Sequence, residues 1–229
     1  YIGYANRVLW PLFHYRPSLV GFSRRYLAGY LRVNRKFARA LAPMLTPDDL
    51  VWVHDYQLML LPAMLKEAMP GLRIGFFLHT PFPSYEIFRC HPQRIELATG
   101  MLGADLLGFH TFGYMRHFRS TVLRLLGIES EMTRIRHGGN NSSIGVYPIG
   151  INAAKFDQQL GTIEHAQQVA RIARENENKQ HVLSVERMDY TKGIPERLDA
   201  IDLFLADLKQ RGPKEQMDTV KFIFVSVPS

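Results

Sequence analysis

The sequence predicts an α/β fold with mostly parallel sheets, on two observations. Short apolar runs alternate with longer stretches of helical periodicity from one end to the other. That order arises when strands lie side by side in one direction and helices return the chain. Three of the apolar runs also end in polar clusters, as strands do where an open α/β sheet gathers its ligands.

The elements follow in order. Residues 22–45 place Phe22, Tyr26, Tyr30, Val33, Phe37, Leu41 and Met44 at steps of three and four, which predicts an amphipathic helix; arginines fill its other faces, and Pro47 with Asp48-Asp49 ends it. Leu50-Val51-Trp52-Val53 reads as a short buried strand, 57–68 as a helix, and Pro70-Gly71 as a turn before a second strand over 72–78. Helices follow over about 84–102, then a third strand over 105–109 and a helix over 111–126 stopped near Gly127. Residues 137–143 read as a polar turn between short extended runs. A polar helix over 161–177, a strand from 181 to 185, a helix over 195–210 and a strand over 220–227 complete the chain. The helical connection around 152–178 is the expected junction, giving domains of 1–155 and 156–229.

Composition bounds the function. The 229 residues, 46% hydrophobic and 21% charged, exclude a disordered tail, a collagen-like chain and a small disulfide scaffold, and they suffice for one large domain or two modest ones. The single cysteine, Cys90, forbids an internal disulfide. The net charge of +7 is unevenly placed: residues 1–47 hold eight Lys and Arg with no acid, residues 48–150 balance, and residues 151–229 sum to −1. Such a basic stretch points to anionic partners: nucleic acid, lipid headgroups or phosphorylated small molecules. There is no apolar run of about 18 residues and no opening signal segment, so neither a membrane span nor secretion is expected and a cytoplasmic location is. The apolar-aromatic stretch at Tyr1 and the apolar end at 222–227 read as cuts from a longer protein.

The polar clusters are His54-Asp55-Tyr56, His79-Thr80-Pro81-Phe82-Pro83, and the run from Glu186 to Gly193, and together they suggest a shared cleft. In the third, Arg187 leaves a strand end and Lys192-Gly193 precedes a helix whose first turn holds Pro195. Free N–H groups and the positive helix end would then face the same space as the two cations, as in a phosphate or pyrophosphate site. The bland alternative is an ion pair of Arg187 or Lys192 with Asp189 or Glu186, and spacing does not choose. Asp55 could accept a sugar hydroxyl, but spacing favours an Asx-turn or a cap on the helix at 57–68. His79 could donate to a ligand oxygen or to a backbone partner, and Thr80-Pro81-Phe82-Pro83 would hold it rigidly. Tyr1 and Trp10 could border a sugar ring or belong to the core. No Walker loop, GxGxxG, HExxH, Cys/His pairing or Ser/His/Asp set is present, so zinc is not expected; the sequons at Asn140 and Asn141 read as turn residues.

An ordered series of motifs adds to this. It comprises Leu9-Trp10-Pro11 with His14-Tyr15, Gly29-Tyr30, Val33-Asn34, the run Val51 to Tyr56, the run Ile74 to Pro83, Glu86-Ile87-Phe88, the run Gly103 to Phe109, Tyr147 to Ile151, Val185 to Gly193, and Val227-Pro228-Ser229. It resembles trehalose-6-phosphate synthase, a retaining family of GT-B glycosyltransferases, over nearly the whole chain. The resemblance implies two Rossmann-like domains, the second incomplete here. It implies transfer of glucose from UDP-glucose to glucose 6-phosphate with retention, giving α,α-trehalose 6-phosphate, with no metal or cofactor, no nucleic acid and no membrane partner. Arg187 and Lys192 would bind the donor diphosphate and stabilise the leaving UDP, and His79 would contact the donor glucose. Tyr1, Trp10 and Asp55 would contact the acceptor, Tyr1 near its phosphate.

The family's N-terminal Arg and Gly-rich loop would precede Tyr1, and its acidic donor-binding residues would follow Ser229, so the 229 residues alone are expected to be inactive. A homo-oligomer and a fused phosphatase domain are both compatible with the resemblance. Three competing readings stay open: a same-fold transferase with a glycerol-phosphate or pseudo-sugar acceptor, a non-catalytic sugar-phosphate sensor, and, on charge alone, a nucleic-acid module.

Overall fold

The computed structural model describes residues 1–176, 179–211 and 219–228, without the side chain of Arg211. Position 177, the end of one expected helix, and Ser229, the last of the resembling residues, lie outside the described residues. The chain divides into two compact units, Tyr1–Gly150 and Ile151–Ser229.

The first unit opens with a π-wound helical segment, Ala5–Leu9, that runs into α1 (Trp10–Phe13) and buries Val8, Leu9, Leu12 and Phe13. Helix α2 (Arg24–Leu41) is capped by Ser23, whose hydroxyl accepts from the Arg25 N–H at 3.3 Å. Then come β1 (Leu50–His54), α3 (Leu61–Ala68), β2 (Arg73–Leu78), α4 (Tyr85–Phe88), α5 (Arg94–Met101), β3 (Leu106–Phe109), α6 (Phe112–Leu126), β4 (Arg134–His137) and β5 (Asn140–Val146). The sheet order is β1-β2-β3-β5-β4; β1, β2, β3 and β5 are mutually parallel, and β4 joins antiparallel to β5. Residues of one sheet face, Val53, Ile74, Phe76, Leu78, Leu107, Phe109 and Ile144, are buried in the core. On the other face Leu50, Trp52, Leu106 and Tyr147 are exposed.

Three local expectations need correction. On α2, Val33 and Phe37 are exposed, and the buried residues are Tyr30, Asn34 and Ala38. The apolar stripe is displaced because α2 meets polar main chain as well as core. The Tyr30 hydroxyl donates to the Tyr56 carbonyl at 2.8 Å and accepts from the Met59 N–H at 3.2 Å, and the Asn34 amide donates to the carbonyls of Tyr30 and Gln57. The basic side chains of α2 form a solvated face, as all of Arg24, Arg25, Arg32, Arg35, Lys36 and Arg39 are exposed. Secondly, β1 is an edge strand in this sheet, with Trp52 65% exposed, rather than a buried one. Thirdly, the polar stretch 137–143 is mostly strand. Only Gly138 and Gly139, at φ of +57° and +80°, make the turn, a conformation that glycine adopts without strain. Asn140 and Ser142, read from sequence as turn residues, instead donate from β5 to the carbonyls of Leu102 and Ala104.

The core holds one fully buried histidine with a consequence for pH. The Gln93 N–H donates to His91 Nδ1 at 3.1 Å, so the neutral ring carries its proton on Nε2 and donates to the Tyr4 hydroxyl at 3.1 Å. Tyr4 in turn donates to Gln93 Oε1 at 3.3 Å. Burial, with the nearby Arg94 cation, pushes the His91 pKa down to about 4 from 6.5. The unfolded chain therefore binds the extra proton first as pH falls. The stabilisation is fully present above pH 6.5 and is lost on acidification towards pH 4, about 3 kcal/mol over that window. Urea midpoints of the parent should fall between pH 6.5 and 4, and His91→Gln should flatten that decline; parallel curves would remove His91 as the cause.

The second unit contains α7 (Ala153–Leu160), α8 (Ile163–Glu175), β6 (Gln180–Met188), α9 (Ile194–Arg211) and β7 (Val220–Pro228). Strands β6 and β7 pair in parallel, with Val185 opposite Val225 and Arg187 opposite Val227. Among the described residues, every fully buried apolar side chain belongs to the first unit. Strand β6 is longer than the expected 181–185, so Glu186 and Arg187 lie within the ladder rather than after it.

Candidate substrate-binding site

In the first unit the predicted residues gather at the carboxyl ends of β1 and β2. Asp55 follows β1 with φ +69° and ψ 175°, a region that side-chain-bearing residues rarely enter and that costs of order 1–3 kcal/mol. Its surroundings hold it there. The Asp55 N–H continues the ladder to the Phe77 carbonyl at 2.8 Å. Its Oδ1 accepts from the His79 N–H at 3.2 Å, from the Thr80 N–H at 3.3 Å and from the Thr80 hydroxyl at 3.4 Å. The cap that spacing favoured is not made: Asp55 gives no side-chain bond to the helical turn Tyr56–Leu58 and reaches across to the next strand end instead.

His79 stands in a row of three histidines, one from the end of each of β1, β2 and β3. His54 Nδ1 lies 3.0 Å from His79 Nε2, and the His79 and His110 rings are 5.6 Å apart. Burial lowers the His79 pKa; Asp55 opposes this, while His54 and His110 add to it. The ring is thereby kept in its neutral form, able to donate one hydrogen bond and accept another. The row borders a cavity of about 390 Å³ lined with Trp52, Phe77 and Tyr147.

Trp10 and Tyr1 meet this region through Tyr56. The Trp10 ring is 5.6 Å from that of Tyr56 and 4.0 Å from that of His14, and its Nε1 is buried without a hydrogen-bond partner among the described residues. Burial raises the Tyr56 phenol above its usual pKa, and neighbouring Tyr1 and Asp55 push the same way. The Tyr56 hydroxyl donates to Asn6 Oδ1 at 3.1 Å. Tyr1 itself is 73% exposed. Sequence reasoning overlooked Tyr56 as the hub of this group and His54 and His110 as neighbours of His79. Their places at strand ends were the available signal.

In the second unit, Arg187 and Lys192 flank a tight loop. Asp189 Oδ1 accepts from the Thr191 N–H at 2.8 Å and hydroxyl at 2.7 Å, and the Lys192 N–H donates to the Asp189 carbonyl at 3.0 Å. Gly193, at φ +64°, then turns the chain into α9 in a conformation that other residues reach only with strain. The ion-pair alternative is not realised: among the described residues neither Arg187 nor Lys192 forms an ion pair, and Glu186 pairs with Arg197. Lys192 therefore stands exposed just before the amino end of an 18-residue helix, and Arg187 stands exposed near the end of β6. Among the described residues no group of three or more His, Cys, Asp or Glu is arranged to hold a metal, and no helix is long and apolar enough to cross a membrane.

The chain is 42% identical over its whole length to the UDP-forming α,α-trehalose-phosphate synthase of Yarrowia lipolytica, of which it covers 49%. It superposes with a TM-score of 0.88 and 33% identity on the Burkholderia xenovorans synthase solved with glucose 6-phosphate, and with 0.89 and 36% on an E. coli structure bound with UDP-2-fluoro glucose. All of this chain and 50% of each solved chain are covered. The chain thus spans about half the length of these relatives and shares their α/β fold. Since the model of glycosyltransferase family 20 matches residues 1–229 from end to end, the chain belongs to that family.

Proposed function

We propose that this chain forms part of a retaining glucosyltransferase that moves glucose from UDP-glucose to glucose 6-phosphate, giving α,α-trehalose 6-phosphate and UDP. The observation that carries the reading is that Arg187, near the end of β6, and Lys192, just before α9, are exposed and free of ion pairs among the described residues. Such a pair can hold the donor diphosphate and stabilise the charge that grows on it as UDP leaves, without a metal ion. The bond from glucose C1 to the phosphate oxygen breaks with its electrons leaving on UDP. The acceptor hydroxyl attacks from the same face and its proton passes to the departing phosphate oxygen, so no side-chain nucleophile is required.

His79, held neutral beside the first unit's cavity, would contact the donor glucose. Asp55, Trp10 and Tyr1 would face the acceptor, with Tyr56 behind them. Residues 1–155 would form most of the acceptor-side domain, and 156–229 the start of the nucleotide-sugar domain. Both substrates are charged sugar phosphates, which suits a cytoplasmic enzyme. The test is release of UDP by the full-length protein from UDP-glucose. It should rise on adding glucose 6-phosphate and far less with glycerol phosphate; no stimulation by glucose 6-phosphate would sink the assignment.

A further inference from the structure

Strand β6 points Ser184 and Glu186 to one face, as residues two apart on a strand must. The Glu186 side chain is only 11% exposed, and its charge is met from α9 rather than from its own loop. One terminal nitrogen of Arg197, Nη1, donates to both Ser184 Oγ and Glu186 Oε1, and Ser184 Oγ donates to the same carboxylate oxygen at 2.6 Å. The other, Nη2, donates to the Lys192 carbonyl at 3.1 Å, and the Arg197 N–H donates to the Gly193 carbonyl at 2.9 Å. One guanidinium thus ties the strand end to the loop. Both main-chain polar groups of Lys192 are fixed, its N–H by Asp189 and its carbonyl by Arg197.

The consequence is electrostatic. The Glu186 carboxylate that opens this run would attract a nearby ammonium; the Arg197 hydrogen bond foremost, with Lys192 adding through space, holds its pKa below the usual carboxylate range, and the same guanidinium bonds the Lys192 carbonyl. Arg197 occupies Glu186 first, and it does so with the planar fork that lysine lacks. We propose that Arg197 is a positioning residue for the donor phosphates: by neutralising Glu186, it keeps the Lys192 ammonium available to an incoming diphosphate. This rests on the reading of Arg187 and Lys192 as the diphosphate site.

A double-mutant cycle in the full-length protein tests it, with UDP as the probe in calorimetric titrations and thermal melts as a check on folding. Arg197→Gln should weaken UDP binding by about 10-fold or more, since a lost hydrogen bond to a charged group has that order of effect. Glu186→Gln should bind UDP at least as well as the parent. In the double variant Glu186→Gln/Arg197→Gln, the carboxylate released by the loss of Arg197 is itself gone, and binding should return to within about threefold of the parent, the cycle being strongly non-additive. Equal weakness of the single Arg197→Gln and the double variant would overturn the proposal, as would an unaffected Arg197→Gln or a weakened Glu186→Gln. Arg187→Ala separates the two levels. If it leaves UDP binding unchanged, the diphosphate site itself is wrong; if it abolishes binding while Arg197→Gln has no effect, only the role of Arg197 falls.

Discussion

Arg187→Ala in the full-length protein should lower kcat/KM for UDP-glucose by about 10²–10³-fold, or about 3–4 kcal/mol of transition-state stabilisation. Arg187 sits in the ladder of β6 opposite Val227, so its main chain is fixed while its side chain is exposed and unpaired among the described residues. The guanidinium is therefore placed by the strand and is not tied up by a competing carboxylate. Its fork matches two phosphate oxygens at once, and the attraction strengthens as the leaving group gains charge. Since the side chain packs against nothing buried, the melting temperature should hardly move. Arg187→Lys should retain the charge but lose the two-pronged geometry, leaving a smaller defect. An unchanged rate with Arg187→Ala would remove this residue from the site.

The largest effect on stability is expected from Phe82→Ala, about 3–5 kcal/mol. Phe82 is fully buried, with its ring centroid 4.9 Å from that of Phe88, 5.2 Å from Phe118, 6.0 Å from Phe13 and 6.4 Å from Phe109. These rings come from α1, α4, β3 and α6, so one truncation opens a void where four elements meet. The Phe82 carbonyl also faces His117 Nδ1 at 3.0 Å. The cluster thereby anchors the segment that follows His79, and loosening it should reduce activity as well as the urea midpoint. Phe82→Leu, which refills much of the volume, should recover most of the loss. A loss below about 1 kcal/mol for Phe82→Ala would show that the cluster is not where this unit's stability is concentrated.

The order of elements was legible because hydrophobic period and turn chemistry are local properties. The alternation of strand and helix, the end of α6 at Gly127, and the parallel order all follow from neighbours within a few residues, whereas α2 ends at Leu41, short of the Pro47 expected to stop it. The series from Leu9 to Ser229 also carried the family. What local pattern could not reveal were long-range polar partners. Tyr30 and Asn34 turn α2 so that it holds the loop after β1, which displaces the stripe that periodicity predicted. Asn140 and Ser142 look like turn residues until the carbonyls of Leu102 and Ala104, some forty residues away in the chain, supply acceptors for them.

The sequence by itself determined which residue types stand at which strand ends: Asp55 after β1, His79 after β2, and Arg187 with Lys192 before α9. Only the tertiary structure decided what each does there. Asp55 abandons the nearby cap for the main chain of His79 and Thr80, and Glu186 pairs with Arg197 rather than with Arg187 or Lys192. The reason is that a carboxylate forms its strongest bonds with whichever donors packing brings within about 3 Å, and sequence spacing does not encode that distance for residues on different elements.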